Sequence, residues 1–157
     1  MREFLKKKNV QPSWRTYLVT AMGAMAQGLF ASLLIGTILG TLGDRFSIGF
    51  LSDIAAFAKN NYVVGAAIGV AVAAALKADG LVVLSSAVVG AIGYVMGAEI
   101  TVDGAAIAYT AGPAGAFVAV LVSTELGKLV SKETKVDILV TPLVTILSGY
   151  GIARLFC

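Results

Sequence analysis

Residues 17–42 read YLVTAMGAMAQGLFASLLIGTILGTL, a stretch of 26 residues without a charged side chain. An α-helix rises about 1.5 Å per residue, so roughly 20 apolar residues cross the hydrocarbon core of a bilayer, which is about 30 Å thick. This stretch is therefore long enough to form a transmembrane helix.

Four more apolar runs follow along the chain, at 63–76, 81–96, 113–130 and 138–156. Of the 157 residues, 58% are hydrophobic and 13% are charged, a balance that few soluble domains have. The sequence predicts an all-α, polytopic integral membrane protein with about five transmembrane helices. Residues 17–157 are expected to form the membrane domain. Residues 1–16 are expected to form a cytoplasmic, basic, amphipathic lead-in, or alternatively a simple topogenic anchor.

Residues 46–58 follow a different pattern. Phe46, Phe50, Ile54 and Phe57 recur at steps of three and four residues, and charged residues lie off that face. A short amphipathic helix of this kind is typical of the membrane interface. We therefore expect an interfacial helix over about 46–58 at the outer surface.

The basic residues favour one orientation in the membrane. With five crossings and a cytoplasmic N-terminus, nine of the twelve Lys and Arg residues fall in inner segments. The outer segments then hold Arg45, Lys59 and Arg154. Because cytoplasmic loops are enriched in Lys and Arg, the sequence predicts a cytoplasmic N-terminus and an external C-terminus.

Composition argues against several classes of function. The chain has no histidine, and its single cysteine is Cys157. The sequence also lacks paired catalytic groups, metal-ligand motifs and a phosphate-binding glycine loop. We therefore expect no enzyme activity, no metal site and no cofactor. The net charge of +3 is expected to meet anionic lipid, not nucleic acid.

Two short apolar runs are rich in glycine. Gly65 and Gly69 lie four residues apart, as do Gly93 and Gly97. Small residues at this spacing let helices approach closely in lipid, so both helices are expected in the middle of a bundle. Short, glycine-interrupted segments are also typical of transporter binding regions, and the two interpretations are compatible.

Glu125 is the strongest candidate for a polar site. A carboxylate at membrane depth is costly unless it is paired or used. We expect Glu125 to bind a small polar solute together with Thr124, Lys128 and Thr141. The alternative is structural, because Lys128 lies three residues further on and can pair with Glu125 to stabilise the helix end.

Two other places in the chain are candidates to extend this site. Gln27 carries an amide inside the first apolar run, where it either makes one interhelical hydrogen bond or lines a solute pathway. Tyr109, Gly112 and Pro113 belong to an irregular stretch near the outer end of the fourth run. Pro113 suits the first turn of a helix, whose free N–H groups attract anions. The segment before it is expected to be re-entrant or broken, or alternatively an ordinary outer loop.

The most specific part of the sequence is GKLVSKETKVDILVTP, within GPAGAFVAVLVSTELGKLVSKETKVDILVTPLVTILSG at 112–149. Together with REFLKKKNV, AMGAMAQGLFASLLIGTIL and IGVAVAAALKADGLVVLSSAVVGAIG, it resembles the phosphotransferase-system IIC-like family of membrane proteins, best known as the perfringolysin regulator family. The resemblance covers most of the chain but only the N-terminal half of the family's members. The stretch EITVDGAAIAYTA at 99–111 departs from it.

The resemblance implies a transporter-like domain of the bacterial cytoplasmic membrane that binds a small polar solute, such as a sugar or an organic anion. An odd number of spans suits one half of an inverted-repeat permease. We therefore expect the bilayer as one partner, and a homo-oligomer or a second membrane half as the other. The family name also implies an alternative, a non-transporting membrane regulator or sensor, with residues 132–137 as its cytoplasmic contact surface.

Overall fold

The computed structural model describes residues 2–7, 15–102, 105–131 and 137–156, which form seven helices and one β-hairpin. The helices are α1 (Arg2–Lys7), α2 (Tyr17–Phe46), α3 (Gly49–Ala58), α4 (Asn61–Ala75), α5 (Gly80–Val95), α6 (Gly112–Val130) and α7 (Asp137–Phe156). The strands are β1 (Gly97–Val102) and β2 (Ala105–Thr110). Of the predicted lead-in, residues 8–14 lie outside the described residues.

The long helix α2 extends past its predicted end at 42 and stops at Phe46. The chain enters α2 through wider π-helical turns at Thr16–Ala21, and α2 has a second such segment at Phe30–Leu34. It ends where Ser47 adopts a left-handed conformation, with φ of 53°, and its N–H group bonds back to Gly43. This cap turns the chain through a tight reversal, so α3 runs back along α2.

The segment predicted as an interfacial helix over 46–58 is the helix α3, and it packs against α2. Gly43 of α2 lies against Ser52 of α3, where a Cβ atom would overlap, and Gly40 lies against Ala55, where a Cβ atom would be a tight contact. After α3 the chain bends by 59° into α4. The side chain of Asn60 caps α4 by accepting a hydrogen bond from the N–H group of Tyr62 at 3.0 Å.

The helices α4 and α5 form the closest pair in the described structure. A Cβ atom at Gly69 would overlap the carbonyl oxygen of Ser86, and one at Gly65 would overlap that of Gly90. The two backbones therefore touch directly, which is the contact expected of small residues in lipid.

The core lies where α4, α5 and α6 meet, with α2 and α7 packed around them. Its buried apolar residues are Ala21, Val64, Ile68, Val72, Leu76, Val89, Ala116, Ala119, Val120 and Ala153. Large apolar side chains, in contrast, cover the outside; those at least 60% exposed include Phe30, Phe46, Phe50, Phe57, Leu84 and Leu147. Such a surface matches lipid, since a soluble domain rarely exposes a continuous apolar surface of this size.

The segment before Pro113, which was expected to be re-entrant or broken, or an outer loop, forms a β-hairpin. Its strands pair in antiparallel register from Gly97 opposite Thr110 to Val102 opposite Ala105. The N–H group of Ala111 then donates to the carbonyl oxygen of Met96 at 2.7 Å, which closes the hairpin at the ends of α5 and α6. The segment is thus extended, and Gly112, with φ of 60°, begins the next helix with Pro113 in its first turn.

The runs predicted as spans correspond to α2, α4, α5, α6 and α7. Three stretches, α2, α6 and Ile138–Leu155 of α7, are long and apolar enough to cross a membrane, and the bent pair α3 and α4 makes a fourth if counted as one span. The helix α5 is apolar but has only 16 residues. The all-helical, polytopic membrane fold is confirmed for the membrane body, while the number of five crossings stays a prediction.

Candidate functional site

Lys128 lies at the end of α6 with only 3% of its side chain exposed. Its ammonium group donates to the carbonyl oxygen of Leu76 at 2.9 Å and to Oε1 of Glu125 at 3.0 Å. Leu76 follows the last residue of α4, where helix carbonyls lack intrahelical partners and attract positive charge. The ammonium group thus joins the ends of two helices to one carboxylate.

Glu125 uses only one of its two carboxylate oxygens in this arrangement. Its Oε2 atom is buried and has no hydrogen-bond partner among the described residues. The side chain as a whole is 16% exposed, so the carboxylate lies at the margin of the packed interior. Buried polar atoms are nearly always satisfied in folded proteins, and an unsatisfied acceptor is a place where a donor can bind.

A set of buried hydroxyl groups lies in the interior of the bundle, on α5, α6 and α7. The hydroxyl groups of Ser86 on α5 and Thr124 on α6 are 3.0 Å apart and form a hydrogen bond between the two helices. The row consists of five residues with 0% exposure, Ser86, Ser123, Thr124, Thr141 and Thr145. We refer to these five residues as the hydroxyl row.

The contact between α6 and α7 brings the second part of the row into place. Gly127 faces the hydroxyl oxygen of Thr145 so closely that a Cβ atom would not fit. Thr145 donates to the carbonyl oxygen of Thr141, one turn earlier, at 2.8 Å. Threonine commonly bonds back to its own helix in this way, and here the bond satisfies the hydroxyl hydrogen of a fully buried side chain.

Part of the predicted site is assembled and part is not. Thr124, Glu125 and Lys128 share one end of α6, and Thr141 is buried on the neighbouring α7. Gln27 does not join them, because it is exposed and lines a separate cleft between α2 and α4.

The predicted residues around Pro113 lie at the other end of α6. Gly112 and Pro113 begin that helix, and Pro113 and Glu125 are about 18 Å apart along it at 1.5 Å per residue. Tyr109 belongs to β2, where its backbone pairs with Ala98. The placement of its side chain lies outside what the structure describes. One small solute cannot contact both ends of α6.

Sequence reasoning missed two partners in this region. It did not single out Ser86, although the SerSer pair in the apolar run LVVLSSAVV was a visible signal. It also could not name the carbonyl oxygen of Leu76, because every residue has such an acceptor. A third contact, from the hydroxyl group of Ser131 to Asp79 at 3.0 Å, ties the turn after α4 to the end of α6.

Two further expectations concern a metal site and the contact surface of a sensor. No group of three or more His, Cys, Asp and Glu residues that could hold a metal ion occurs in it. Of the surface expected for a sensor, 132–137, residues 132–136 lie outside the described residues.

Comparison with known proteins identifies the family. A family model described as "Phosphotransferase system, EIIC" matches residues 19–157, from the start of α2 to the end of α7. Neither the curated proteins nor the solved structures gave a match to the chain. The match includes the stretch 99–111, which departs from the resemblance drawn from sequence motifs. The chain therefore belongs to the phosphotransferase system EIIC family and is a sugar-transporter-like membrane domain.

Proposed function

We propose that this domain is one half of a permease and that it binds a neutral sugar at the Glu125 end of α6. The observation that carries the proposal is the buried Oε2 atom of Glu125, which has no partner among the described residues. A sugar hydroxyl group would donate to that oxygen. The hydroxyl row is occupied within the bundle, since Ser86, Ser123 and Thr145 each donate to a helix carbonyl, so the proposal rests on the carboxylate of Glu125.

The charges of the site favour a neutral solute over an organic anion. Glu125 and Lys128 form a pair at 3.0 Å, so their charges largely cancel. Two of the three donor positions of Lys128 are already engaged, by Leu76 and Glu125. The unpaired oxygen of Glu125 is an acceptor, and an anion would meet repulsion from it.

The location of the site supports access from one side of the membrane. Glu125 lies about five residues before the end of α6, or roughly 8 Å at 1.5 Å per residue. Its side chain is 16% exposed while Oε2 itself is buried, so a solute would reach that oxygen from this end after a small local opening. With the N-terminus in the cytoplasm, as the distribution of Lys and Arg favours, this is the cytoplasmic side.

The proposal of half a permease rests on the topology. Five crossings would leave the two ends on opposite sides, which is the arrangement of one unit in an inverted repeat. A second membrane half would complete the solute pathway. The domain would act as a carrier and not as an enzyme, and with no histidine in the chain, phosphoryl-carrying groups would belong to a partner.

The experiment compares the melting temperatures of the purified wild type and of Glu125→Gln. Each is measured with a panel of neutral hexoses and disaccharides, and with citrate and succinate. A ligand that binds the folded state raises the melting temperature by mass action. We expect at least one neutral sugar to stabilise the wild type. Glu125→Gln retains one oxygen for Lys128 but places an NH₂ donor at the other position, so stabilisation by the sugar should be lost.

The matched control is Asp53→Asn, which makes the same carboxylate-to-amide change at an exposed position of α3. It should respond to sugar as the wild type does. Unchanged sugar stabilisation of a folded Glu125→Gln protein would refute the site. A response of the wild type to citrate or succinate alone would refute the solute class.

A further inference from the structure

Tyr17 is the first residue of α2, and its phenol group lies within electrostatic reach of the carboxylate of Glu125. Its side chain packs against the core cluster that includes Leu76, the residue whose carbonyl oxygen binds Lys128. The start of α2 therefore meets the ends of α4 and α6 at one end of the bundle. The contacts described above for the candidate site do not use Tyr17.

The ring of Tyr17 belongs to the face of α2 that meets the interior. Ala21, one turn later, is fully buried, whereas the residues between them, Leu18, Val19 and Thr20, are exposed. Tyr17 itself is half-buried. Tyrosine residues near a membrane interface usually lie among the lipid headgroups and anchor the helix there. Because Tyr17 packs inward, an anchoring role does not account for its position.

Tyr17 and Glu125 together place an apolar surface near a hydrogen-bond acceptor. The hydroxyl group of Tyr17 makes no hydrogen bond to a described residue. The Oε2 atom of Glu125 is buried and also has no partner among those residues. Binding sites for small molecules typically combine aromatic side chains with a few polar groups that fix the orientation of the ligand.

A pyranose sugar has the matching chemistry. The C–H groups of its ring form a rigid apolar face, and its hydroxyl groups project from the rim. The apolar face can pack on an aromatic ring, while a hydroxyl group at the rim donates to a carboxylate. An open-chain alditol has the same kind of hydroxyl groups but no rigid apolar face. An aromatic ring in the site would therefore favour the pyranose.

We propose that Tyr17 is the stacking platform of the solute site and that it selects pyranose sugars over open-chain polyols. One face of the sugar would lie on the phenol ring while a hydroxyl group at its rim donates to Oε2 of Glu125. This inference rests on the proposed function, because it adds a second contact and a narrower class of solute to the Glu125 site.

The test compares the affinities of matched ring and open-chain compounds. The probes are glucose, mannose and galactose, each paired with the alditol that its reduction gives: sorbitol, mannitol and galactitol. Affinity is obtained from the rise in melting temperature of the purified protein with ligand concentration. For the wild type we expect at least one pyranose to bind about 3- to 10-fold more tightly than its alditol, the range expected for an aromatic contact.

Variants of Tyr17 separate the ring from the hydroxyl group. Tyr17→Leu should weaken binding of the pyranose by about 3- to 10-fold and leave binding of the alditol unchanged, so the preference disappears. Tyr17→Phe retains the ring and should retain the preference. The matched control is Tyr62→Leu, since Tyr62 is 61% exposed in the first turn of α4, and it should respond as the wild type does. A role in anchoring alone would change the melting temperature without ligand but not the ratio of the two affinities.

Three results would overturn the inference. The first is equal affinity of the wild type for each pyranose and its alditol, a comparison that does not depend on the folding of any variant. The second is a folded Tyr17→Leu protein that keeps the wild-type preference. With either result, loss of sugar binding in Glu125→Gln would still support the proposed site. The third is a wild type that responds to none of the three pyranoses, and the wider panel used with Glu125→Gln then decides the proposed function separately.

Discussion

The ammonium nitrogen of Lys128 lies 2.9 Å from the carbonyl oxygen of Leu76, a residue 52 positions earlier in the chain. This bond fixes the end of α6 to the end of α4. The two residues are too far apart in the sequence for a local sequence pattern to predict their contact. The same nitrogen holds Glu125 at 3.0 Å. The candidate solute site therefore depends on a contact that also holds the fold together.

Lys128→Met should destabilise the protein by about 3 kcal/mol or more, since removing one partner of a buried ion pair leaves the other charge uncompensated. The double variant Lys128→Met with Glu125→Gln should recover part of the loss, because no charge is then left buried. Thermal unfolding in a mild detergent measures both. A double variant less stable than Lys128→Met alone would contradict this account.

The hydrogen bond between Ser86 and Thr124 should show coupling in a double-mutant cycle. Each of Ser86→Ala and Thr124→Val removes the same interhelical bond, so the loss in the double variant should be smaller than the sum of the single losses. Interhelical bonds in membranes are worth about 0.6 kcal/mol on average, which sets the expected coupling. Strictly additive losses in reversible unfolding would show that this bond does not contribute to stability.

Gly69→Ala should prevent normal packing of α4 on α5, because the added Cβ atom would overlap the carbonyl oxygen of Ser86. Gly151→Ala is the matched control, since a Cβ atom there meets nothing within 4 Å. Alanine has a helix propensity better than that of glycine by about 1 kcal/mol, so this control should retain or gain stability. The yield of monodisperse protein in size-exclusion chromatography separates the two. Equal yields would contradict the backbone contact.

The orientation can be tested with single cysteines in the Cys157→Ser background. Lys7→Cys and Lys132→Cys should be protected from a membrane-impermeant maleimide in intact cells, and Arg45→Cys should be labelled. The reason is the nine-to-three distribution of basic residues. Labelling of Lys7→Cys or Lys132→Cys before the cells are opened would reverse the proposed topology.

Much of the fold could be predicted because lipid imposes a simple rule on the sequence. A segment that crosses the hydrocarbon core must be apolar and helical, so the runs at 17–42 and 113–130 mark helices directly. The β-hairpin between α5 and α6 could not be predicted in the same way. Its signal is of another kind, which the prediction did not use: Ile100, Thr101 and Val102 are β-branched residues that favour strands, and Asp103–Gly104 is a dipeptide typical of hairpin turns.

The candidate site was predictable in its charges but not in its geometry. Glu125 and Lys128 stand out because charges are rare in an apolar helix, and their spacing of three residues places them side by side. Gln27 stood out as a polar side chain in an apolar run, yet it is exposed on α2 and does not join them. Rotation of a helix around its axis decides which face meets the interior. The buried face of α2 is its stripe of small residues, and Gln27 lies off that stripe; the stripe consists of Ala24, Gly28, Ser32, Gly36 and Gly40. Ser86 was missed because a serine in a glycine- and alanine-rich helix is usually a packing residue.

The contact between α4 and α5 has a mechanical consequence. At Gly65, Gly69 and Gly90 one backbone rests on another, so no side-chain torsion is available to absorb a sliding movement. Packed interfaces of this kind move as one body or separate altogether. The helix α7, in contrast, meets its neighbours through side chains, with its Thr145 against Gly127 and its Gly149 against Val89. A carrier cycle in this domain would therefore keep α4 and α5 together as a fixed frame, and α7 would be the helix that shifts against it.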